Sequence, residues 1–120
     1  MRNVILAVAL SGFFAGSVMA DSVEHFKGVP SDTLEQAVAN FSEYNQKLAE
    51  VLAGELDNNA MVEVHELTYT IENALAKINA EFTELADTLE EVHLASEKFD
   101  AAEVKAKGDT YVSVATQVIP

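Results

Sequence analysis

NNAMVEVHELTYTIENALAKINAEFTELADTLEEVHLASEKF, residues 58–99, decides the fold of this chain. Met61, Val64, Thr68, Ile71, Leu75, Ile78, Phe82, Leu85, Leu89 and Val92 recur at alternating spacings of three and four. That is the a/d seam of a heptad repeat, the pattern by which a helix keeps one face against other helices. No glycine or proline falls between Gly54 and Gly108, so nothing in the interval forces a break. The stretch reads as one helix, or at most one gently bent helix, roughly 60 Å long at ~1.5 Å per residue. Its flanks differ along its length. The first half adds Val62, Tyr69 and Ala76 on one side of the seam and Leu67 and Ala74 on the other. The second half adds only Ala86 and Ala95. A wider apolar face calls for more cover around the first half.

Working outward, Glu55-Leu56-Asp57 is a turn, with Asp57 or Asn58 as the N-cap of the long helix. Before it, Leu34, Val38, Phe41, Leu48 and Leu52 give a first helix over about 32–53. Ser31 or Asp32 would cap it, Asp32 and Glu35 fit a capping box, and Gly54 stands at the C-cap. After the long helix, placed at about 58–98, Asp100 and Glu103 repeat the capping-box pattern. A third helix then covers about 101–118, with Val104, Tyr111, Val114 and Val118 turned inward. Gly108 and the β-branched run after Thr110 oppose that reading. Helix still prevails, because a lone strand would have no neighbour for its backbone groups. The fold class is all-α: three helices with a long central one, a helical hairpin or bundle. Short connections make successive helices antiparallel.

The first twenty of the 120 residues stand apart from this domain. Arg2, the apolar run Val4–Phe14 and the small residues of Val18-Met19-Ala20 have the layout of a secretory signal peptide, with cleavage between Ala20 and Asp21. The run is too short to span a bilayer. Residues 21–30, DSVEHFKGVP, read as an arm ahead of the helical domain 31–120. The expected address is the periplasm, with secretion as the alternative. Cleavage would leave six lysines against 20 acidic residues, a formal charge of −14. Such a charge disfavours nucleic acid and anionic membrane surfaces, so neither is expected as a partner. With no cysteine, an exported chain has no disulfide and must hold its fold by helix packing.

DSVEHFKGVPSDTLEQAVANFSEYN, HELTYTIENAL and LEEVHLASEKFD resemble a family of short exported proteins of Gram-negative bacteria, recorded as a domain of unknown function. The resemblance runs over roughly residues 21–119. It implies export and a helical fold, and brings no activity or site residue. Size and helix content are also similar to the four-helix periplasmic cytochromes, a likeness of fold class alone.

Few residues suggest chemistry. Glu90-x-x-His93 has the i, i+3 spacing of ferritin-like di-iron sites, and these two are the candidate metal ligands. Such a site needs a second Glu-x-x-His, but valine stands three residues before His65 and serine three before His25. A solvated surface pair is the plainer reading. Covalent haem needs cysteines. Non-covalent haem needs axial ligands on facing helices, whereas Met61 and His65 lie on one helix and the flanking helices hold neither residue type. No nucleophile–base arrangement or phosphate loop occurs. The sequence therefore points to a non-enzymatic structural or protein-interaction module without a cofactor. A small haem- or metal-binding protein is the alternative. Length adds one further expectation. The two shorter helices together match the long one, so a monomer has two helices at each level. A homodimer through the long helix would give four, and the competing arrangement is a monomer whose long helix bends near Asn79-Ala80 and closes a four-helix bundle on itself.

Overall fold

The structure, a computed structural model, describes residues 26–120. The signal-peptide segment, the Ala20–Asp21 cleavage point and residues 21–25 of the arm lie outside the described residues. Three helices follow in order: α1 (Leu34–Leu52), α2 (Asn58–Glu97) and α3 (Ala101–Val118). Among the described residues there is no strand. The β-branched run after Thr110 is helical through Val118, as the absence of a pairing edge requires.

Side-chain caps fix the starts. Asp57 accepts from the Ala60 amide at 2.8 Å and Asp100 from the Glu103 amide at 3.1 Å. For α1 the capping box sits one residue later than the sequence suggests. Thr33 accepts from the Gln36 amide at 3.2 Å, and Gln36 Oε1 takes the amides of Thr33 and Asp32 at 3.3 and 3.0 Å. Glutamine serves the box as well as glutamate does, and this phase carries Leu34 and Ala37 into the core. The helix ends differ from expectation too. Ala53 is the C-cap of α1, and Gly54 closes the turn by donating to Val51 O at 3.1 Å, with no left-handed residue. The left-handed cap belongs to α2 instead, where Phe99 has φ +55°. Its amide donates to Ser96 O and that of Asp100 to Ala95 O, the paired bonds of a Schellman motif.

α2 runs unbroken through Asn79–Ala80. α1 packs antiparallel along its first half and α3 along its second. The two short helices meet at mid-length, where Leu34 and Ala37 of α1, Ala74 and Ile78 of α2, and Val114 and Val118 of α3 form one cluster. Ala37 and Ala74 are fully buried. Their small side chains let the backbones approach closely at the point where three helices converge. The ion pair of Lys107 with Glu91, at 2.6 Å, ties α3 to α2 farther along.

Burial on α2 corrects the seam read from sequence. The buried residues are Leu67, Thr70, Ala74, Ile78 and Ala95. Six of the ten seam residues, Val64, Thr68, Ile71, Ile78, Leu85 and Val92, are half-buried or better. The other four, Met61, Leu75, Phe82 and Leu89, are exposed. The covered face is thus rotated toward Leu67 and Ala74, and Val62 and Ala76 on the opposite flank are left open.

The arm clasps the side of α2 that the short helices leave free near Tyr69 to Asn73. The Val29 amide donates to Thr70 Oγ1 at 2.9 Å, and Asn73 Nδ2 donates to the carbonyls of Lys27 and Val29 at 3.1 Å each. Asn40 of α1 holds the arm's end through Pro30 O and Ser31 Oγ. Gly28 makes this approach possible. Its φ is +69°, and a Cβ there would lie 2.7 Å from Thr70 N.

Candidate functional site

Every seventh residue of α2 from Met61 to Leu89 falls on one row: Met61, Thr68, Leu75, Phe82 and Leu89. Its four large apolar members are between 38% and 54% exposed. Such positions normally seek a partner helix, and the described chain leaves each of them about half open to solvent. The adjoining row is His65, Glu72, Asn79, Ala86 and His93. Glu72 is the one acidic residue in these two rows, although α2 carries nine acids. Toward the second half, the apolar row forms one wall of an open groove of about 370 Å³. Phe82, Leu85, Ala86 and Leu89 face Tyr111, Ala115 and Ile119 of α3 across it.

The sequence candidates for chemistry lie on solvent. His93 Nε2 is 3.1 Å from Glu97 Oε1, one turn on, so its carboxylate neighbour is Glu97 and not Glu90. Both members of that pair are well exposed, where such contacts contribute little. His65 meets Tyr69, with Nε2 3.3 Å from the hydroxyl and the rings edge to face at 5.1 Å. Met61 is exposed four residues before it. Among the described residues no group of three His, Asp or Glu side chains comes together to hold a metal ion. No described helix is long and apolar enough to cross a membrane.

The charged groups form short local pairs. Lys47, Lys77 and Lys107 are each raised above the ordinary lysine value of 10.5, foremost by hydrogen bonds to Glu43, Glu81 and Glu91. Lys47 also stands 4.3 Å from the Tyr44 ring centre.

A family model spans residues 1–120. The chain belongs to DUF6746, a family of unknown function. Neither the curated proteins nor the solved structures gave a match. Within this DUF6746 chain, the open face of α2 sets four large apolar side chains, Met61, Leu75, Phe82 and Leu89, at least partly in solvent at heptad spacing. These residues belong to the seam that the sequence sets against other helices, whether of the same chain or of a second copy. Phe99, 93% exposed and left-handed at the α2–α3 turn, carries no sequence signal, since no glycine marks the position. Thr70 is fully buried, and the arm's Val29 amide satisfies its hydroxyl from 41 residues away, a contact no local pattern announces.

Proposed function

We propose that this protein is an exported, acidic, non-enzymatic helical module that works through protein contacts made on the uncovered face of α2. The supporting observation is the row of Met61, Leu75, Phe82 and Leu89, exposed at strict heptad spacing on a face nearly free of acids. The signal-peptide layout of residues 1–20 supports the periplasmic address. A photo-crosslinking residue at Phe82, expressed in the native host, should give protein adducts, and one at exposed Glu63 should not. No adduct at Phe82 in the compartment where the protein resides would overturn the reading. Intact mass should begin at Asp21, and a chain that retains Met1 would remove the export element. Absorption spectra and elemental analysis of host-purified protein bear on the alternative. A Soret band, or stoichiometric metal surviving dialysis, would replace this reading with a haem- or metal-binding one.

A further inference from the structure

We infer that the occupant of the open α2 face is a second copy of this chain, antiparallel, about a two-fold axis at Leu75. The inference rests on the reading that α2 works by protein contact, and adds the identity of the partner and the geometry.

Three observations carry it. The first is symmetry. The apolar row runs from Met61 to Leu89 with Leu75 at its centre. An antiparallel copy therefore sets Met61 opposite Leu89, Thr68 opposite Phe82, and Leu75 opposite itself. A two-fold interface must be self-complementary in this way. It also brings the first half of one long helix, bearing Met61 and Val64, to the groove that Phe82, Leu85, Leu89 and Tyr111 line on the other.

The second is charge. Any two copies carry the same large negative charge and repel over most of their surface. The two rows facing outward from Met61 to His93 are the side of α2 where that repulsion is least, with Glu72 as the single acid. A basic partner would instead be drawn to exposed acids elsewhere on α2, such as Glu63, Glu66 and Asp87. A face stripped of acids is suited to a surface that is itself acidic elsewhere.

The third is size. Met61 to Leu89 is about 42 Å of helix, and the layer of α2 with its short neighbours is about 20 Å wide. The product is about 800 Å² per partner, the area that stable pairs bury. The paired layers would then have four helices at every level: both long helices, α1 of one copy and α3 of the other.

The natural chain has no cysteine, so single engineered ones report cleanly. With a short bismaleimide, Leu75→Cys should link to itself. Met61→Cys and Leu89→Cys should each stay unlinked alone and link when mixed. In the antiparallel pair two Met61 positions are about 42 Å apart, beyond the reagent. Light scattering after size exclusion should give twice the chain mass at tens of micromolar. Leu75→Glu places two carboxylates on the axis and should halve that mass while keeping its helical circular dichroism. A one-chain mass for the unaltered protein would overturn the inference, and self-linking of Met61→Cys would overturn the antiparallel arrangement. If Leu75→Glu unfolds, the cysteine pattern still decides. Phe82 adducts with a different protein alongside a one-chain mass would sink the second copy and leave the proposed function standing.

Discussion

Replacing Gly28 by alanine should undock the arm from α2. At φ +69° a residue with a Cβ costs about 1–2 kcal/mol in left-handed strain alone. The new atom would also sit 2.7 Å from Thr70 N and 2.8 Å from Tyr69 C, both backbone atoms inside a helix that cannot give way. Strain and clash together exceed what the arm can repay, so release is the cheaper outcome. The loss is then capped by the docking energy. Three hydrogen bonds, Val29 to Thr70 and Asn73 to Lys27 and Val29, contribute about 0.5–1.5 kcal/mol each, or about 1.5–4.5 together. For a domain of this size 2 kcal/mol corresponds to roughly 8–16 °C in Tm. Circular dichroism melts give that shift, and hydrogen exchange at the Val29 amide reports docking directly. Thr70→Val removes the same acceptor. Its effect should add little to Gly28→Ala in a double-mutant cycle, because one docking event is lost in both. A Tm within about 2 °C of the parent, with the Val29 amide still protected, would refute the argument.

Four shorter predictions follow from other positions. Gly108 lies inside α3 with open space around a built Cβ, so Gly108→Ala should stabilise by about 0.5–1 kcal/mol, read as a higher Tm. Phe99→Gly removes left-handed strain from a side chain that packs on almost nothing. A gain of about 0.5–1 kcal/mol is expected in denaturant melts, and a loss would show that Phe99 has an unrecognised contact. The raised lysines make a small contribution at the alkaline end, because their pairs lie at or near the surface. Their folded-state stabilisation is complete below the ordinary 10.5 and is lost as pH climbs through the higher folded values, so Tm should hold to about pH 10 and fall above it. A Tm that rises across that range would contradict the pairing with Glu43, Glu81 and Glu91. Moderate salt should raise Tm by screening like charges, and a steady fall would show that attractive pairs dominate instead.

What the sequence alone determined is local. Helix positions follow from apolar periodicity and from Asp57 and Asp100, whose side chains satisfy amides only a few residues away. The lack of any glycine or proline between Gly54 and Gly108 permits an unbroken α2, and the tertiary structure decides against a bend at Asn79–Ala80. Even the two-helix layering follows, because short turns and matched lengths leave the short helices nowhere else to pack. Tertiary structure alone decided which flank of the long stripe is covered. Periodicity marks Leu75, Phe82 and Leu89 as apolar but is blind to whether a neighbour in the same chain arrives on that side. The short helices settle where Ala37 and Ala74 permit close approach, and that choice turns the larger side chains outward. The same holds for Thr70, Gly28 and Phe99. Their states depend on a segment about forty residues away, or on the angle at which two helices join, and no local pattern encodes either.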